Sequence, residues 1–183
     1  MRRTSKYIRD ERGATTVEFA LVGLAFIATI LFVMAVAVVL YLNQALDNAT
    51  ASASRQILTG KAQSQSTPAT LATFRESLCT FLPAVLTCNN VIINLYVVPK
   101  ARGPGGYYTF VKADMSGLAL PKLDAASGQF KLGNRGDYQY LQVIYPITFL
   151  PPVVASWLGG GTTYDGKPAF VAVSGAAFRN ERF

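Results

Sequence analysis

The feature that most constrains this chain is the unbroken apolar run from Phe19 to Leu42, FALVGLAFIATILFVMAVAVVLYL, which contains no charged residue. About 20 apolar residues suffice to cross the hydrocarbon core of a bilayer, so the run can span with some tilt. A secretory signal peptide has an apolar region of roughly 7–15 residues followed by a small-residue cleavage site. This run is longer, and an Ala-rich, helix-compatible stretch follows it. A buried core helix is the other alternative, but a chain of 183 residues has little material left to cover such a helix on every side. A single membrane span is expected.

Charge next to the span sets its orientation. Arg2, Arg3, Lys6, Arg9 and Arg12 precede it, against Asp10 and Glu11, and the next cation beyond it is Arg55. The positive-inside rule places residues 1–13, a basic leader, in the cytoplasm and everything after Leu42 outside. In a Gram-negative cell the span would then lie in the inner membrane and the C-terminal domain in the periplasm.

The helix is expected to outlast the span. Leu42, Ala45, Leu46, Ala49, Ala53 and Ile57 recur at three- and four-residue steps with polar residues between them, and Gly60 supplies a C-terminal stop. A helix from about Ala14 to Thr59 would be roughly 70 Å long at about 1.5 Å per residue. The expected organisation is a leader at 1–13, a transmembrane helix at 14–42, its amphipathic continuation at 43–60 and a head domain at 61–183.

Downstream the pattern predicts an α+β head: a small antiparallel sheet with short helices, one sheet face covered by the long helix. Pro68 to Leu86 has helix-compatible spacing broken at Pro83. Val91 to Val98 is a β-branched strand, Tyr107 to Lys112 a weaker one, and Tyr138 to Tyr145 and Phe170 to Phe178 complete the set. Pro146 to Leu158 is apolar and proline-broken, either a short helix on the sheet or an exposed contact surface. Met115 to Lys131 has no clear period and reads as a loop.

Composition then removes several functions. The net charge of +7 is not gathered into one stripe, so nucleic-acid binding is not expected. Histidine is absent, which removes most catalytic triads and zinc sites. No enzyme activity, metal or cofactor is expected. Asp114, Asp124, Asp137 and Asp165 stand in turn contexts, and the Gly-rich stretches at 103–106 and 159–163 lack the Gly-Lys-Ser/Thr ending of a phosphate loop. Cys79 and Cys88, the only cysteines, flank a short loop beside Asn89 and Asn90. Outside the cytoplasm they point to a disulfide, with two buried thiols as the alternative.

The start of the apolar helix carries a more specific pattern. Arg12-Gly13-Ala14-Thr15-Thr16-Val17-Glu18-Phe19 resembles the processing region of type IV-like prepilins, in particular the TadE-like family of tight-adherence (Flp) pilus systems. Leu78-Cys79 through Cys88, Gly136-Asp137-Tyr138 leading to Tyr145-Pro146, and the ending Phe178-Arg179-Asn180-Glu181 resemble that family as well. Arg182 departs from it, standing where proline is expected after the Arg-Asn-Glu triplet. The resemblance implies cleavage by a prepilin peptidase between Gly13 and Ala14, and an assembly and register role for Glu18 with Phe19 beside it. It also implies contacts with the major Flp pilin, other minor pilins and the inner-membrane pilus platform. Glu18 read by itself leaves two options. Its carboxylate can pair with the Ala14 amine of its own or a neighbouring helix, or it can sit at the headgroup boundary and complement the helix dipole. A minor pilin or pseudopilin is the expected function, and an uncleaved bitopic scaffold of a pilus or secretion apparatus is the alternative.

Overall fold

The computed structural model describes residues 14–62, 70–98, 111–116, 119, 121, 123–124 and 128–181. Its first element, α1, is a continuous helix over Ala14–Leu58. The chain forms two compact units, one up to Leu40 and one from Tyr41. In the first unit most of α1 is bare: Val17, Leu21, Val22, Leu24, Phe26, Ile27, Leu31 and Val33 are all exposed, and Val39 near the end of the unit is buried.

In the second unit the same helix changes character. Leu42, Leu46, Ala49, Ala53 and Ile57 are buried, at the three- and four-residue steps of one helix face. Thr50 shares that face and returns its hydroxyl to the Leu46 carbonyl at 2.8 Å. Gly60, at φ 76°, terminates the helix in the left-handed conformation that a side chain disfavours.

The next helix, α2, is Leu71–Cys79. Thr70 caps it, its hydroxyl accepting from the Thr73 N–H while the Thr73 hydroxyl accepts from the Thr70 N–H. Continuing the helix would drive the Pro83 ring into the Cys79 carbonyl, four residues back, and Pro83 has no N–H for that carbonyl. The helix ends at Cys79, shorter than the Pro68–Leu86 spacing predicts. A disulfide joins Cys79 to Cys88, with their Cα atoms 5.8 Å apart. Cys88 opens a single 3₁₀ turn, Cys88–Asn90, that leads into the sheet.

The sheet consists of β1 (Ile92–Val98), β2 (Tyr138–Ile147) and β5 (Phe170–Arg179) in the order β1-β2-β5, antiparallel throughout. In β2, the central strand, every residue from Leu141 to Ile147 is buried. The strand runs two residues past the predicted end, through Pro146. Pairing with β1 stops at Ile144 opposite Ile92, so beyond that point β2 has a partner on one side only. Proline is tolerated there because its missing N–H interrupts no ladder.

Between β2 and β5 lie α3 (Pro152–Leu158) and the two-residue strands β3 (Thr163–Tyr164) and β4 (Lys167–Pro168). Asp165 and Gly166 connect them at φ 50° and 70°, the paired positive values of a type I′ hairpin. The 129–131 segment, read as loop from sequence, lies along the free edge of β1. The Leu95 N–H donates to the Gln129 carbonyl at 2.7 Å and the Lys131 N–H to the Leu95 carbonyl at 3.1 Å, forming a parallel bridge. Most of the strand expected at Tyr107 to Lys112 lies outside the described residues. The architecture is α+β: a long N-terminal apolar helix, then a small antiparallel sheet with short helices.

Candidate assembly surface

Apolar groups left in water cost about 25 cal/mol for each Å² that could be buried. The most apolar window of α1 has a mean hydropathy of 2.8 and is only 6 % buried. Its side chains therefore call for a non-aqueous surrounding. The helix is long and apolar enough to cross a membrane, and its polar atoms suit that setting. Backbone groups bond within the helix, and the Thr29 hydroxyl donates to the Ala25 carbonyl at 2.8 Å, so it needs no outside partner. At Gly23 an added Cβ would meet nothing within 4 Å, leaving room for another helix backbone to approach closely.

The residues singled out at the start of the helix fall as follows. Gly13 lies outside the described residues. Ala14 is the first residue of α1. Glu18 is exposed one turn later, and Phe19 beside it is 79 % exposed. Among the described residues no hydrogen bond or ion pair engages Glu18. A carboxylate so placed at the edge of an apolar helix offers a cation or an N-terminal amine a binding partner.

In the head, the disulfide loop is tied to the sheet. The Thr87 N–H donates to Tyr145 Oη at 3.0 Å, and Phe74 of α2 lies against Phe130 with ring centroids 5.2 Å apart. The carboxylates serve turns. Asp114 Oδ1 accepts from the Ser116 hydroxyl at 2.7 Å and its N–H at 3.1 Å, which holds this carboxyl below its ordinary range. Asp137 Oδ2 accepts from the Asn134 N–H at 2.8 Å. Among the described residues no cluster of His, Cys, Asp and Glu could hold a metal ion. Tyr96 and Tyr140 face each other across β1 and β2. Burial raises both phenols above their ordinary pKa, and for Tyr140 the neighbouring Tyr96 adds to the shift. On α3 only Ala155 is buried, while Val153 and Trp157, one turn apart, face outward. The short helix thus both packs and presents an apolar face.

One part of the molecule drew no expectation from sequence beyond family likeness. The C-terminal residues Arg179, Asn180 and Glu181 reach back to the turn before β2 and to the end of α1. No local pattern signals such contacts, because each partner is far away in the chain.

Comparison with known proteins adds one match. The family model described as TadE-like protein matches residues 13–55. No curated protein and no solved structure matches the chain. The match begins at Gly13 and covers most of α1, both the stretch whose apolar side chains are exposed and the face that buries Leu42, Leu46, Ala49 and Ala53. Together with a helix long enough to span a bilayer, it points to a membrane-associated, pilin-like protein.

Proposed function

We propose, from the TadE-like segment at residues 13–55, that this chain is a minor pilin or pseudopilin required to assemble a tight-adherence (Flp, type IVb-like) pilus. A prepilin peptidase removes the basic leader between Gly13 and Ala14, leaving Ala14 as the mature N-terminus. The helix then serves two environments in turn. It anchors the subunit in the inner membrane with residues 1–13 cytoplasmic and the head periplasmic, and it packs among other pilin helices during assembly. Gly23, Ala25, Ala28, Ala35 and Ala37 allow close helix approach. Glu18 pairs with the Ala14 amine of its own or a neighbouring helix and so sets the stagger between subunits. The head contacts the major pilin, sibling minor pilins and the inner-membrane platform.

The observation that carries this reading is the position of the match, which starts at the residue proposed for cleavage and takes in the whole exposed apolar stretch of α1 before entering its buried face. Mass spectrometry of the protein from membranes and from sheared pili tests it. A mature N-terminus at Ala14, with the protein present in pilus fractions or required for their formation, is the expected result. An N-terminus at Met1 in cells with active peptidase, together with normal piliation in a deletion strain, would overturn it. Uncleaved protein confined to the membrane but required for piliation would identify a bitopic scaffold instead.

A further inference from the structure

Any α-helix ends with carbonyls that lack an intrahelical donor, and each needs a partner from elsewhere. At the end of α1 the donors divide unequally. Arg55, Gln56 and Ile57 are served locally: their carbonyls accept from the N–H groups of Thr59 at 3.0 Å, Ala62 at 3.1 Å and Gly60 at 3.0 Å. The last carbonyl, that of Leu58, accepts from the Glu181 N–H at 3.1 Å. One end of the head's sequence thus completes the capping of a helix at the other end.

The residues before Glu181 are fastened in turn. The Asn180 N–H donates to the Asp137 carbonyl at 3.0 Å, and the Asn180 carbonyl accepts from the Gly136 N–H at 3.1 Å. Asn180 is 2 % exposed, and its Nδ2 donates to the carbonyls of Gly133 at 3.1 Å and Asn134 at 3.0 Å. Arg179 Nε donates to the Gly136 carbonyl at 3.0 Å, and its guanidinium lies 5.6 Å from the centroid of the Tyr138 ring. Gly136 has φ 76°, and the Asp137 N–H closes the turn on the Asn134 carbonyl at 3.2 Å. Each of the three residues has a distinct task. Arg179 covers the start of β2, Asn180 fills the turn before it, and Glu181 contributes its backbone to α1.

We infer that Arg179-Asn180-Glu181 is a strap that latches the end of α1 to the turn leading into β2, coupling the helix to the central strand of the sheet. The side chain of Asn180 anchors the strap, and the N–H of Glu181 is the latch itself. No Asp or Ala can replace Asn180 in this role, since neither offers two N–H donors to two carbonyls. At position 181 only the backbone donor matters. The strap holds the last turn of α1 against fraying while the sheet remains held by its own ladders.

Hydrogen exchange on the full-length protein in detergent micelles separates these roles. Glu181→Pro deletes the latch donor, Glu181→Ala keeps it, and Asn180→Ala removes the anchor. Exchange at Thr59, Gly60 and Ala62 should accelerate roughly five- to tenfold in Glu181→Pro and Asn180→Ala, as loss of one hydrogen bond at a local opening predicts. Glu181→Ala should match the wild type, and amides shared by β1 and β2 should keep their protection in all three variants. Equal exchange at the helix end in Glu181→Pro and Glu181→Ala would overturn the strap. So would equal acceleration throughout the sheet, which would make these residues a uniform part of the core.

Discussion

The backbone N–H of Thr87 donates to Tyr145 Oη at 3.0 Å, linking the loop closed by the disulfide to the buried central strand. Tyr145 is 4 % exposed, so its hydroxyl has little water to turn to. Tyr145→Phe keeps the ring and deletes the hydroxyl that accepts from Thr87. It should lower the stability of the head by about 1 kcal/mol, the usual net worth of such a bond, read as a shift in urea midpoint with unchanged slope.

The disulfide between Cys79 and Cys88 acts on the same loop from its base. A cross-link stabilises mainly by restricting the unfolded chain, and for a loop this short roughly 2–3 kcal/mol is expected. The Cys79→Ala, Cys88→Ala double variant should lose about that amount in denaturant titration. Peptide mapping under non-reducing conditions should recover the two cysteines as one linked pair; recovery of two alkylatable thiols would contradict the bond.

These contacts show what sequence could and could not reveal. The helix was legible because its spacing changes character around Leu42 while its period persists, and β1, β2 and β5 because β-branched and aromatic residues cluster there. Pro83 marked a break, but where α2 stops depends on the carbonyl four residues before it. Asp165 reads as a turn residue from sequence, but the hairpin that Asp165-Gly166 closes does not, since flanking strands of two residues carry no alternation. The 129–131 edge and the C-terminal strap were out of reach for another reason: both are held by backbone bonds to distant partners, and backbone donors look alike in every sequence. At the candidate site, Glu18 by itself allows either a dipole or a pairing role, and its place five residues after Gly13 favours pairing only through the family resemblance.

Gly128 offers a test of the parallel edge. A Cβ at this position would lie 2.6 Å from the Ile93 carbonyl oxygen, a backbone atom that cannot swing aside, and 3.4 Å from Leu71 Cδ2. Gly128→Ala should therefore push the 129–131 segment off β1 and break the Leu95–Gln129 bond. A loss of about 1–3 kcal/mol is expected, as for overpacking in a core. Hydrogen exchange should show the Leu95 amide deprotected while the β2–β5 ladder holds.

Alkaline stability follows from Tyr96 and Tyr140. Burial raises both phenols above 10.0 in the folded state, so the unfolded chain gives up these protons first. Their contribution is fully present below the unfolded value and is lost as pH rises through it toward the folded one. The urea midpoint should fall above about pH 10, and Tyr96→Phe combined with Tyr140→Phe should flatten that decline. Absorbance near 295 nm should show fewer phenols ionising in the folded protein than in the denatured one at the same pH.

Glu18 carries the prediction closest to function. It stands exposed on the second turn of α1 beside Phe19, in a helix whose anchoring rests on its apolar side chains. Glu18→Ala removes a charge from the edge of the span, so insertion should be unaffected or slightly favoured. If the carboxylate only complements the helix N-terminus, its loss costs about 0.3–1 kcal/mol, too little to stop assembly, and Glu18→Ala cells should pilate normally. If it pairs with the Ala14 amine to set subunit stagger, pili should be lost while membrane levels of the protein stay near wild type. Glu18→Gln separates charge from hydrogen bonding, since the amide keeps an acceptor for the amine without the charge. A defect in Glu18→Ala that Glu18→Gln partly repairs would show that geometry matters as well as charge. Normal pili in both variants would leave the helix dipole as the sole role of this residue.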